Sequence, residues 1–128
     1  MIRIDVTSAR PLEDQIAAAL RQALAQGEIG PGDELPSVRQ LAGDLGVHWN
    51  TVARAYRRLA DERLLIVRRG RSVVARELSG QVSRVARTGL RDQLNEAIAA
   101  AVLGGIPSDE IGRIFQEALA RFAERRRS

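Results

Sequence analysis

Apolar residues recur every four positions at Leu12, Ile16, Leu20 and Leu24, the pattern of one buried helix face. Pro11 suits the first turn of such a helix and Gly27 ends it. A short extended segment, Ile2 to Val6, comes before it. The stretch GEIGPGDELP that follows is too rich in glycine and proline for anything but a turn-containing connection. Ser37 with Gln40 then fits a capping box. It opens a short helix that presents Val38, Leu41, Ala42 and Leu45 and stops at Gly46, a natural left-handed end. A third helix starts a few residues on, and two helices meeting across LGV have the spacing of a helix-turn-helix.

The third helix lies in GVHWNTVARAYRRL, residues 46–59. At about 100° per residue, Ala55, Tyr56 and Leu59 fall within roughly 60° of Val52 and form a core stripe. Asn50, Arg54 and Arg57 gather within roughly 40° of the opposite direction, with Thr51 and Arg58 on one flank and Ala53 on the other. Such a stripe is either a solvated face or a recognition surface. Trp49 sits at the boundary, placed either to pack against Tyr56 or to touch a thymine methyl or a sugar.

Beyond the third helix, Leu64 to Arg69 and Ser72 to Ala75 are apolar or β-branched runs on either side of Gly70, the pattern of a small hairpin. Arg68, Arg69 and Arg71 surround its tip, as a DNA-contacting wing or as a solvated edge that resists aggregation. The predicted fold is mainly α with a small β-hairpin: a winged helix-turn-helix over residues 1–76, followed by a two-helix hairpin over 77–128. In the latter, Val82, Ala86, Leu90, Leu94, Ile98 and Val102 repeat every four residues up to Gly104 and Gly105. After Ser108, a candidate cap, Ile111, Phe115, Ala118, Leu119 and Phe122 continue the pattern. The pair is too small to enclose a sizeable pocket, so no small-molecule effector is assigned. It either joins two copies of the chain or packs on its own winged domain.

Composition narrows the chemistry. The 128 residues, 45% hydrophobic, contain no cysteine and one histidine. Disulfides and thiolate zinc sites are excluded, and no metal or other cofactor is expected. No apolar run approaches the roughly 20 residues of a membrane span and the start lacks a signal segment, so no membrane partner and a cytoplasmic location are expected. The net charge of +4 is unevenly spread: residues 1–45 carry −3, residues 46–76 carry +6 and residues 77–128 carry +1. Clustered cations are rewarded by a polyanion, because binding them releases condensed counterions. All twenty basic residues are arginine, a chain-wide choice that carries no functional weight.

The run PLEDQIAAALRQALAQGEIGPGDELPSVRQLAGDLGVHWNTVARAYRRLADERLL, followed by RRGRSVVA, resembles the DNA-binding domain of GntR-family bacterial transcription regulators. VHWNTVARAYRRL with a short tail is similar to the YtrA-like branch. The resemblance implies double-stranded DNA as partner, operator contacts at Ser37, Arg39, Asn50, Thr51, Arg54 and Gly70, and a homodimer made by the tail. The chain departs from the family at His48, a weak cap where Ser or Thr is usual, and at Trp49. It departs again at Arg63, where a glycine usually closes the helix, and at Ser72, where a second wing glycine is common.

Groove chemistry assigns roles. Asparagine pairs bidentately with adenine and arginine with guanine, so Asn50 and Arg54, one turn apart, are placed to read neighbouring bases. Arg39, Thr51 and Arg58 lie to the side, where phosphate contact sets register. Arg69 and Arg71 suit a narrow minor groove. The expected function is a transcription regulator, with repression the expected sign, acting as a homodimer on an inverted repeat. A DNA-binding accessory for plasmid maintenance and a protein-binding winged helix stay open beside it. No nucleophile and base stand together, so no enzyme is expected.

Overall fold

Three helices, α1 (Leu12–Gln26), α2 (Val38–Leu45) and α3 (Trp49–Asp61), lead into an antiparallel hairpin of β1 (Leu65–Val67) and β2 (Val73–Ala75). Two longer helices follow, α4 (Arg84–Leu103) and α5 (Ser108–Arg127). The computed structural model describes residues 2–68, 72–77 and 84–127. The chain divides into two compact units, residues 1–78 and 79–128.

In the first unit α1 and α2 both pack on α3. Ile16, Ala17 and Leu20 of α1 meet Leu41 and Ala42 of α2 and the whole predicted stripe of α3, Val52, Ala55, Tyr56 and Leu59. Helical periodicity located most of this core; Ala17, off the predicted stripe of α1, is buried too, whereas Leu12 and Leu24 are only half-buried. Ile2 and Ile4 pack against it in a segment that joins no sheet. Gln15 holds that segment down: its Oε1 accepts from the Asp5 amide at 2.7 Å, and its Nε2 donates to the Asp5 and Arg10 carbonyls at 3.0 and 2.9 Å. Pro11 stands just before the first helical turn, as the cap residue with extended ψ, and not inside it.

Helix ends follow local chemistry. The capping box is present: Ser37 Oγ accepts from the Gln40 amide at 3.1 Å, and Gln40 Oε1 accepts from the Ser37 amide at 3.0 Å. Gly46 ends α2 at φ 70°. Arg63 takes the corresponding left-handed position after α3, at φ 63°, and lets the Leu64 amide reach the Leu59 carbonyl at 2.9 Å. A side chain there crowds its own backbone. Arg63→Gly is therefore expected to stabilise the first unit by about 1 kcal/mol. Thermal unfolding checks this, and an unchanged or lower Tm would contradict it.

The connection after α1 does more than turn. Glu34 bridges Val74 on the edge of β2 that β1 leaves open. The Leu35 amide donates to the Val73 carbonyl at 2.7 Å, and the Ala75 amide donates to the Asp33 carbonyl at 2.9 Å. Flanked on both edges, β2 is buried at all three residues. The hairpin strands are shorter than the apolar runs predicted, pairing Leu65 with Ala75, Ile66 with Val74 and Val67 with Val73. Leu64 is used instead to close α3. The Arg68 amide adds one bond to the Ser72 carbonyl at 2.8 Å.

The second unit is a helical hairpin. Gly105, at φ 85°, turns the chain, and the Ile106 amide donates to the Ala101 carbonyl at 3.0 Å. Ser108 is the first helical residue of α5 and not its cap: the Pro107 carbonyl accepts from the Ile111 amide at 3.0 Å. Asp109 and Glu110 occupy the first turn, where the helix dipole favours negative charge. Val82, expected to start the repeat, lies outside the described residues. No residue of α4 is buried. An apolar groove of about 470 Å³ runs between α4 and α5, lined by Leu94, Ile98, Ala101, Ile111, Phe115 and Ala118 among others.

Candidate nucleic-acid interface

Two polar contacts set the direction of α3. His48 caps it, Nδ1 accepting from the Asn50 amide at 3.1 Å. The imidazole nitrogen reaches one of the first free amides, as a serine oxygen would. Tyr56, 2% exposed, donates its hydroxyl to the Pro36 carbonyl at 2.7 Å, tying α3 to the approach to α2. Burial pushes the phenol pKa up to about 12, so it remains a donor at neutral pH.

With one face fixed inward, the other is presented to solvent. Arg54 and Arg57 of α3 and Ser37 and Arg39 at the start of α2 are exposed, whereas Asn50 and Thr51 are half-buried. Among the described residues, Arg39, Arg54 and Arg57 make no ion pair. Ser37 Oγ accepts within the capping box, which leaves its hydroxyl proton for another acceptor. Arg57 was not counted as a site residue from sequence, although the helical wheel had already set it beside Asn50 and Arg54.

Arg58, expected to meet phosphate, also has partners within the protein. Its Nη1 donates to Asp14 Oδ1 at 2.6 Å and to Glu13 Oε2 at 3.0 Å, joining α3 to the first turn of α1. Those hydrogen bonds, to Asp14 and then to Glu13, push the guanidinium pKa above its ordinary value. Both bonds are made by Nη1 of a side chain that is still 38% exposed. Arg21 makes a similar tie, pairing through two nitrogens with both oxygens of Glu62. Trp49 is 55% exposed and stacks on His48, so it is not packed into the core beside Tyr56. Arg69, Gly70 and Arg71, the expected wing contacts, lie outside the described residues.

A helix-turn-helix whose second helix bares cations without ion-pair partners, followed by an antiparallel hairpin, defines a winged helix-turn-helix DNA-binding protein. Residues 12–74 match the bacterial regulatory proteins of the gntR family, and the chain belongs to that family. It is 31% identical over 118 residues to the transcriptional repressor YtrA of Bacillus subtilis, covering 91% of each chain. With another curated relative it shares 46% identity over 70 residues and spans 57% of that protein's length. Among solved structures it is similar to YtrA from Sulfolobus acidocaldarius, described as a GntR-family transcription factor. The identity there is 41% and the TM-score 0.62, covering 77% of this chain and 97% of that one. A Listeria monocytogenes protein described as a transcriptional antiterminator superposes with a TM-score of 0.82 at 26% identity, covering 92% and 89%. The chain is thus a DNA-binding transcription regulator of YtrA-like type. Among the described residues, no helix is long and apolar enough to cross a membrane, and no His, Asp and Glu cluster could hold a metal ion.

Proposed function

We propose that the protein is a homodimeric repressor that binds an inverted-repeat operator in the cytoplasm. The observation that carries this reading is the exposed, ion-pair-free arginine face of α3. In the major groove Asn50 reads adenine and Arg54 guanine, while Ser37, Arg39, Thr51 and Arg57 bond phosphate. Arg69 and Arg71 enter the adjoining minor groove around Gly70. The α4–α5 hairpin joins two copies, so that two α3 helices meet two half-sites. Repression is supported by the relationship to the repressor YtrA. Selection of duplexes from a random pool tests the reading: a symmetric site with half-sites about one helical turn apart, or a multiple of it, is expected. Enrichment of no site, or of an asymmetric one, would overturn it.

Arg58 stands outside this contact set. Arg58→Ala is expected to lower stability only slightly, since the pairs it loses are partly exposed, and to leave the salt dependence of operator binding unchanged. A decrease of the log–log salt slope by about 1 would return it to the phosphate contacts.

A further inference from the structure

Trp49 is the chain's single tryptophan, and it opens α3 as a residue 55% exposed, while Tyr56 further along the same helix is 2% exposed. An indole left in water forgoes a large burial term, so its position calls for a cover. The ring is also held in place. It stacks on His48 with centroids 5.5 Å apart and planes 30° from parallel, and His48 is in turn fixed by the bond from the Asn50 amide. One turn on, Ala53 is small and half-exposed, so Trp49 and Ala53 form an apolar flank beside the stripe of Asn50, Arg54 and Arg57.

A cover for this flank must be apolar where it meets the ring and anionic around it. In the major groove the thymine C5-methyl is the apolar group on a base edge, and phosphates border it on both sides. An acidic rim on a protein surface would serve the arginines, but the hydrogen-bonding set beside the ring matches base edges. We propose that Trp49, backed by His48 and flanked by Ala53, reads the methyl group of one thymine per half-site. This rests on the operator reading above and adds to it a residue that determines specificity. The ring is positioned before binding, so contact does not require freezing a mobile side chain.

The test replaces each thymine of the selected operator in turn by deoxyuridine, which deletes one methyl and leaves the base-pairing edge intact. One replacement per half-site is expected to weaken the unaltered protein about three- to fivefold, the value of one buried methyl-sized group. The same replacement is expected to have no effect on Trp49→Ala and a reduced effect on Trp49→Phe. A thymine scan in which no position depends on residue 49 would overturn the inference while leaving the operator reading intact. Equal losses for Trp49→Ala on operator and scrambled duplex would make the ring a general support of the fold. Unchanged DNA affinity would assign it to a protein partner; either result overturns the proposal. Failure to enrich any operator would overturn both readings at once, so the two failures have different signatures.

Discussion

The chain carrying Ile98→Glu and Phe115→Glu is expected to sediment as a monomer and to bind the full operator about 10²- to 10⁴-fold more weakly than the unaltered chain. The physical basis is the apolar surface of the second unit. Ile98 is 44% exposed, Phe115 43%, Leu90 55% and Leu119 52%. The helices that carry them are 20 residues each, roughly 30 Å long. Exposed apolar side chains on both helices mark an interaction surface, and under the proposed function a second copy covers it. Once two winged units are joined, the second half-site contact becomes intramolecular and raises affinity without any new contact. Two carboxylates in the groove would have to be desolvated for the interface to form. Half-site affinity is expected to stay as it was, because the proposed DNA contacts lie in the first unit. The salt dependence on the full operator should become shallower, with fewer phosphates neutralised together. Sedimentation and operator titration check both parts. A variant that remains dimeric, or an unaltered protein that is monomeric at micromolar concentration, would place the interface elsewhere or remove it.

Arg54→Ala should cost about 1–3 kcal/mol on the preferred operator and much less on scrambled DNA, the signature of a base contact. Arg54 makes no ion pair among the described residues, so its removal leaves no carboxylate stranded in the protein and the loss reports on DNA alone. Asn50→Ala is expected to behave alike. The His48 cap uses the backbone amide of residue 50, which alanine keeps, so the start of α3 survives the change. Titration of each variant against both duplexes is decisive. Equal losses on the two would remove the residue from base reading.

Much of this architecture was legible before any coordinates. The four inward residues of α3 followed from a period of 3.6, because a helix sitting on a core must place its apolar side chains on one stripe. Ser37 and Gln40 announced the start of α2, since their bonds are made within a single turn. Arg63 stood where a left-handed residue was needed and adopted that conformation. The stripe of Asn50, Arg54 and Arg57 was equally visible, being the complement of the core stripe.

What sequence alone determined, then, was local: where helices start and stop, which faces turn inward, and which cations share the outward face of α3. Tertiary structure decided which of those cations are already used. Arg58 differs from Arg54 by partners 44 and 45 positions away in α1, and no periodicity encodes a pairing across that separation. It also turned Asp33 to Leu35 from a loop into a third rung on β2, a segment too short to show alternation and ordered by a neighbour's unpaired backbone. The exposure of Trp49 was settled in the same way. Tyr56 and Leu59 are buried in the core, and a residue at the edge of the stripe goes inward only if the packed core leaves room for it.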